Sequence, residues 1–391
     1  ALEEARIAFE KVLVHDVVSW SALIAGYAQN GLGNEALECF THMRKSGIRP
    51  NEVTYICILK ACGIVGSLWI GEEIEVEIRN QGLLEKNIVL GTALVDMYSK
   101  CCAMERAQNV FEKLPMWDIV TWNALIAGYA RNGFDDATMR CFRQMETAGI
   151  RPDAVTYTCI LKACGISRSL EIGEYIDAEA RKQGLLQKDN MLGTALMNMY
   201  SMCGALEKAR EVFEQLPERN IVSWSALIAG YAQHERGDEA LKCFRQMKDV
   251  GVSPNVVTYI CLLKACGIVG SLEIGEDIDM EVRKKGLLME DIVLGNALVD
   301  MYSRCGALEK AQEVLKQLPK RDVVSWNAMI AGYVQMGFGD EALNCFRQMK
   351  NEAVCPNVVT YICILKACGM AGSLEIAENV EVEIRKQGLL G

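Results

Sequence analysis

From Val17 the chain reads VVSWSALIAGYAQNG, and its apolar residues Trp20, Leu23, Ile24 and Tyr27 recur at i, i+3, i+4 and i+7. That spacing is one face of an α-helix, and Gly31 supplies the residue that most readily ends one. The next stretch, NEALECFTHMRKSG, repeats the pattern with Ala36, Leu37, Phe40 and Met43 and closes at Gly47. Two short amphipathic helices joined by a glycine turn form a hairpin, and its apolar face needs neighbours to cover it.

Those neighbours are copies of itself. Asp16, Asp118, Asn220 and Asp322 stand 102 residues apart, followed by VVSWSALIAGY, IVTWNALIAGY, IVSWSALIAGY and VVSWNAMIAGY. The chain divides into a partial unit at 1–15, full units at 16–117, 118–219 and 220–321, and a shortened fourth at 322–391. Each full unit divides again into pieces of 35, 36 and 31 residues, in the first unit 16–50, 51–86 and 87–117. All seven prolines fall near the end of a first or third piece, as their inability to continue a helix requires. A repeat of this length outranks local signals as evidence for architecture. The expected fold is all-α, a right-handed α-solenoid of about eleven stacked helical hairpins, with the first helices lining the concave face. The 391 residues are expected to form a single repeat array, not the two or three globular domains that length alone suggests.

Composition agrees: 51% of residues are hydrophobic, 24% charged and 7% aromatic, the make-up of a folded chain with ample core. No apolar run approaches the ~18 residues that span a bilayer. The opening ALEEARIAFEKV is acidic and helical, with no visible signal or transit peptide. It begins without Met, so the chain is expected to be a piece of something longer.

Fifteen of the seventeen cysteines fall at four repeating positions: that of Cys39, of Cys57, of Cys62 and of Cys101. Recurrence at fixed helical positions marks small packing residues, expected to be reduced thiols in an intracellular compartment. There is no C-x-x-C, and His15, His42 and His234 do not repeat, so neither a metal nor a cofactor is expected. Trp20, Trp122, Trp224 and Trp326 open successive first helices. They share a face with Leu and Tyr, so core packing is expected over base stacking. Trp69 and Trp117 do not repeat. Phosphate-loop, H-E-x-x-H, G-x-S-x-G and zinc-deaminase signatures are all absent, and the chain reads as no enzyme.

The formal charge of −10 first argues against a nucleic-acid partner. Its distribution changes that picture. Thirteen-residue windows of the first helices hold Lys60, Lys100, Arg131, Lys162, Lys264, Arg304 and Lys366 against Asp96 and Asp300. That is a net +5 there and −15 elsewhere. A mildly basic groove with an acidic back is compatible with a single nucleic-acid strand.

Hairpins of 35, 36 and 31 residues, with VVSWNAMIAGY, then L-K-A-C-G, then NALVDMYSRCG, resemble the pentatricopeptide repeat proteins of plant organelles. More narrowly they resemble the subclass with alternating P, L and S motifs, and the resemblance covers the whole chain. Tetratricopeptide repeats keep 34 residues throughout and lack the W-N-A start. The resemblance implies single-stranded RNA as partner, one nucleotide per motif, read by two side chains. These are the fifth residue of the first helix and the residue just before the next motif. A second-position Val is implied to sandwich the base: Val18, Val89, Val120, Val222, Val293 and Val324, with Val53, Val155, Val257 and Val359 alike and Met191 the one departure. Lys100, Arg131 and Arg304 are the expected phosphate contacts.

The implied pairs are Ser21 with Asn51 for adenine, Thr92 with Asp118 for guanine and Asn123 with Asp153 for uracil. Thr194 with Asn220 and Ser225 with Asn255 imply adenine, Asn296 with Asp322 uracil, and Asn327 with Asn357 a pyrimidine, cytosine preferred. In the L motifs Ile56, Ile260 and Ile362 cannot hydrogen-bond a base, and only Thr158 with Asp189 has the chemistry. The expected strand is 5′-A-n-G-U-n-A-A-n-U-C-n-3′. The same Asp, Asn, Ser and Thr residues are also good helix caps. Yet capping gives no reason for the fifth residue to alternate between Ser and Asn while the surrounding text stays fixed.

The resemblance therefore implies the recognition array of a C-to-U RNA-editing factor in a chloroplast or mitochondrion, without chemistry of its own. The alternative is an α-solenoid scaffold that binds a partner protein through its L motifs, such as a small organellar editing-factor protein of the MORF/RIP type.

Overall fold

The computed structural model describes residues 2–10 and 15–386, and among these every regular element is helical. Parts of the expected partial unit (1 and 11–14) and of the closing motif (387–391) lie outside the described residues.

The helices gather into two compact units, 1–203 and 204–391. In the first, Leu2–Glu10 precedes five hairpins. These are Val17–Gln29 with Gly33–Lys45, Glu52–Val65 with Leu68–Asn80, Ile88–Lys100 with Met104–Glu112, Ile119–Arg131 with Asp135–Thr147, and Ala154–Ser167 with Leu170–Lys182. Asn190–Met202 closes that unit. The second opens with Leu206–Gln215 and continues Ile221–Gln233 with Gly237–Asp249, and Val256–Val269 with Leu272–Lys284. After one 3₁₀ turn, Leu287–Met289, come Ile292–Arg304 with Leu308–Gln317, Val323–Gln335 with Gly339–Asn351, and Val358–Ala371 with Leu374–Lys386. Within each unit every first helix packs on the next first helix, and the second helices pack on the first helices beside them. The first helices thus form an inner layer and the second helices an outer one, the α-solenoid arrangement.

Local chemistry sets the boundaries. All eleven first helices begin at an Asp or Asn N-cap whose side chain accepts a backbone N–H, as Asp16 Oδ1 does from Ser19 N at 2.8 Å. Glycine turns follow both helices of a hairpin: after the first helix Gly31 has φ +79°, and after the second Gly47 has φ +74°, a region L side chains avoid.

The repeating apolar positions fill the space between layers. Trp20, Trp122, Trp224 and Trp326 are all buried, each with Leu or Met and Ile of the same helix. Trp117 is partly exposed, stacks on Phe111 at 5.4 Å and donates its indole N–H to the Phe111 carbonyl at 2.8 Å; Trp69 stands exposed. Tyr27 and Leu37, expected in the core, are only half-buried. Tyr129, the counterpart of Tyr27, is half-buried too and donates its hydroxyl to Gln108 Oε1 at 3.0 Å, whereas Tyr231 at the same position is buried. Burial pushes the thiols of Cys62, Cys164 and Cys266 up to about 12, so they pack as small apolar groups. Cys101, Cys203 and Cys305 each turn Sγ toward the carbonyl of those residues, at 3.7–3.8 Å.

Candidate nucleic-acid interface

The second residue of a first helix lies on the inner layer's free surface, opposite the face that carries Trp, Leu and Ile into the core. In all eleven first helices that residue is apolar and exposed by 50–65%: ten valines and Met191. Isolated exposed valines need no explanation, but an unbroken series at one helical position in both units does.

The fifth residue lies about one turn further along, and its side chain points to the N-terminus of the neighbouring first helix. In the first unit Ser21 Oγ donates to the Val17 carbonyl at 2.6 Å and lies 2.6 Å from Thr54 Oγ1 and 3.4 Å from Asn51 Oδ1. Asn51 is the N-cap of the next helix, its Oδ1 held by Thr54 N at 2.9 Å. Asn123 Nδ2 donates to Asp153 Oδ1 at 3.1 Å, while Thr156 Oγ1 donates back to Asn123 Oδ1 at 2.6 Å. Thr92 meets Thr121 Oγ1 at 2.9 Å, and Thr121 donates to Asp118 Oδ1 at 2.7 Å. In the second unit Ser225 lies 2.7 Å from Thr258 Oγ1, which donates to Asn255 Oδ1 at 2.8 Å. Asn296 Nδ2 donates to Asp322 Oδ1 at 3.2 Å and Asn327 Nδ2 to Asn357 Oδ1 at 3.1 Å. Six expected pairs are therefore brought together, four directly at 3.1–3.4 Å and two, Thr92 with Asp118 and Ser225 with Asn255, through a threonine. Thr194 belongs to the first unit, where its hydroxyl back-bonds to the Asn190 carbonyl at 2.9 Å. Asn220 belongs to the second and caps Ile221–Gln233, accepting from Val222 N at 3.0 Å and Ser223 N at 3.1 Å.

Capping and pairing are thus performed by the same atoms. The cap spends one oxygen, Oδ1, on the helix terminus, and in Asp322 the second oxygen also accepts from Asn296 Nδ2, at 3.4 Å. Burial alone would raise the Asp153 carboxyl, but hydrogen bonds from the Thr156 amide, the Asn123 side chain and the Thr156 hydroxyl together hold it below the usual carboxylate range. It is an anionic acceptor at neutral pH. The threonines that lock these pairs, Thr54, Thr156, Thr258 and Thr360, are buried and do not stand out among the candidate residues of the sequence. Their signal was present: a Thr three residues after an Asp or Asn, the spacing of a reciprocal cap.

Four stretches, 15–63, 117–165, 219–267 and 321–370, match the model of the PPR repeat family, and 194–221 and 296–323 match that of the PPR repeat. The chain belongs to the pentatricopeptide repeat family. A mitochondrial pentatricopeptide repeat-containing protein of Arabidopsis thaliana, At3g09040, is 38% identical over 99% of this chain and 37% of its own length. A chloroplastic one, At4g18520, is 33% identical over 99% of this chain and 62% of its own length. A third, At3g20730, is 32% identical over 99% and 69%. The chain spans between 37% and 62% of the first five curated relatives it matches. Among solved structures, the pentatricopeptide repeat protein PPR10 in complex with an 18-nt psaJ RNA element superposes with a TM-score of 0.76 at 19% identity, over 96% of this chain and 57% of that one.

Two further features of this pentatricopeptide repeat chain concern its inner-layer cations and the second pieces. Of the expected phosphate contacts, Lys100 is bonded to Asp96 at 2.6 Å and Arg304 to Asp300 at 2.9 Å, each within its own helix. Arg131 is exposed and has no ion pair among the described residues. At the fifth position of the second pieces, Ile56 and Ile260 are half-buried and Ile362 is 50% exposed. Thr158, the polar exception, back-bonds to the Ala154 carbonyl at 2.7 Å.

Proposed function

We propose that the chain binds single-stranded RNA sequence-specifically, one nucleotide per motif, as the target-recognition array of an organellar C-to-U editing factor. On this reading 16–117, 118–219 and 220–321 are P-L-S triplets and 322–391 a P and an L motif of one array. The observation that carries it is the exposed apolar residue at the second position of all eleven first helices, about one turn from a polar fifth residue in the first and third pieces. An aliphatic side chain half in water gains from a flat apolar cover, and a base between two such residues provides one. The polar pair beside it then meets the base edge: Asp153 or Asp322 as acceptor, Asn51 or Asn255 as donor. PPR10, bound to RNA in its own crystal structure, supports the partner class, and the mitochondrial and chloroplastic relatives support an organellar site of action. In this reading the array positions a strand and leaves chemistry to other parts of a longer protein. The alternative is a partner protein, such as a small editing-factor protein, bound at the second pieces through Ile56, Ile260 and Ile362.

The test is an equilibrium titration at ~150 mM salt of the strand 5′-A-n-G-U-n-A-A-n-U-C-n-3′ against a scrambled strand of equal composition. Tighter binding of the first is expected. Equal binding of both would remove the code while keeping an RNA groove, and binding of neither would remove RNA as the partner.

A further inference from the structure

The ninth residue of each first helix separates the three kinds of piece by charge. In first pieces it is always alanine (Ala25, Ala127, Ala229, Ala331). In third pieces it is Asp96, Asn198 and Asp300. In second pieces it is always lysine: Lys60, Lys162, Lys264 and Lys366. Val53, Ile56 and Lys60 follow i, i+3, i+7, so the lysine stands on the stripe of the exposed valine, about 10 Å further along the helix.

These four lysines, with Arg131, differ from Lys100 and Arg304. All four are exposed, and none has an ion pair among the described residues. Lys100 and Arg304 instead spend their charge on the ninth-position aspartate of their own helix, at 2.6 and 2.9 Å. The second pieces have no such acid: the residue one turn beyond the lysine is Ile64, Ile166, Ile268 or Met370. In the 118–219 repeat the excess is greatest, because Arg131 adds a second cation to Lys162 and the third-piece counterparts there, Asn198 and Met202, are uncharged. Arg131 and Lys162 both lower the Cys159 thiol electrostatically, against burial and the Asp153 carboxylate, which raise it. Exposed cations that form no ion pair favour an anionic ligand.

We propose that the second pieces are backbone clamps, in which Lys60, Lys162, Lys264 and Lys366 each take a phosphate of the bound strand at a step whose base is not read. This rests on the RNA reading above. It assigns phosphate neutralisation chiefly to these lysines, with Arg131, and away from the internally paired Lys100 and Arg304. The division of labour is chemical. Isoleucine at the fifth position of three of these pieces offers a base edge nothing, and Thr158 in the remaining one spends its hydroxyl proton on the Ala154 carbonyl at 2.7 Å. The clamp therefore contributes affinity and spacing to any sequence, while first and third pieces contribute the choice among sequences.

The experiment measures log K against log salt for the full chain and its K60Q/K162Q/K264Q/K366Q variant, on the matched and scrambled strands. A charge-matched control, K248Q/K285Q/K310Q/K350Q, removes outer lysines already paired with Glu281, Glu276 or Glu383. Each phosphate contact adds ~0.7 to the slope on a single strand, so the inner variant should lose about 3 units of slope. It should weaken both strands equally, leaving their ratio within about twofold, while the control keeps its slope. An unchanged slope in the inner variant, an equal loss in the control, or a loss confined to the matched strand would each overturn the clamp while leaving RNA binding standing. Failure of the unmodified chain to bind either strand would overturn both readings together.

Discussion

Among the described residues, four other than glycine hold positive φ: Cys102 at 59°, Arg168 at 55°, Glu235 at 60° and Ala353 at 57°. Each occupies a turn where every other copy of the repeat has glycine, such as Gly204 and Gly306 for Cys102, or Gly66, Gly270 and Gly372 for Arg168. A Cβ in the left-handed region costs roughly 1–2 kcal/mol. Replacing each with glycine should therefore stabilise its unit by about 1 kcal/mol, read as an upward shift in thermal midpoint. Asp135 is a second departure of this kind. Its counterparts are Gly33, Gly237 and Gly339, where a Cβ would lie 2.9–3.0 Å from the carbonyl oxygens of Ala61, Ala265 and Ala367. Asp135 Oδ1 is buried without a partner, and burial, helped by Asp136, raises its carboxyl above the usual range. A raised carboxyl binds its proton more tightly in the folded state, so the stability it allows is present below the unfolded value of about 4 and is lost as pH rises. Asp135→Gly should gain about 1 kcal/mol at pH 7, less toward pH 3, in urea titrations at the two pH values. A gain that does not depend on pH would point to relief of crowding alone.

The helices were legible from periodicity because apolar spacing, cap residue and closing glycine agree at each boundary, as at Asp16, Trp20 and Gly31. The polar links between helices were not. Asp177 is buried, accepts from Arg181 at 2.6 Å and takes the Tyr200 hydroxyl at 2.8 Å; Asp279, Arg283 and Tyr302 repeat this, with the same distance from the tyrosine. Tyr200 lies 23 residues from Asp177, beyond any local pattern, and the partner on the same helix does not announce it. The pairing of Lys100 with Asp96, by contrast, stands at i, i+4, a spacing that puts the two side chains side by side on any helix. The Asp177 link joins the second helix of one hairpin to the first helix of the next. Tyr200→Phe leaves a buried carboxylate with one fewer donor and should cost about 1–3 kcal/mol, measured by chemical denaturation, with Tyr302→Phe alike. Burial and then the Asp177 acceptor push the Tyr200 hydroxyl up. The stability it contributes is therefore present below pH ~10 and declines only above it, so the cost of Tyr200→Phe should be constant from pH 6 to 9.

At the scale of the molecule, a repeat array differs from a globular site in that each element contacts only its neighbours, so its recognition energies should add. Asn123, with Asp153, and Asn327, with Asn357, are 204 residues apart in sequence and belong to different compact units. Nothing in the uniform 102-residue spacing signals that division, because the text of the repeat runs through Cys203 without a break. Asn123→Thr removes the Nδ2 donor to Asp153 and turns that pair into the Thr–Asp type, so preference at its base should move from U to G. Asn327→Thr creates the Thr–Asn type and should move preference from cytosine to adenine. One hydrogen bond to a base edge is worth ~1.4 kcal/mol, or about tenfold in affinity. The double variant should therefore favour the doubly changed strand about a hundredfold over the original, with the two free energies adding to within ~0.5 kcal/mol. Additive shifts at both bases require that each pair read one nucleotide independently and that the register between them hold across the intervening motifs. A shift at one base alone would locate an error in the code or the register at the other pair. No shift at either would leave the capped Asn and Asp residues as helix caps and nothing more.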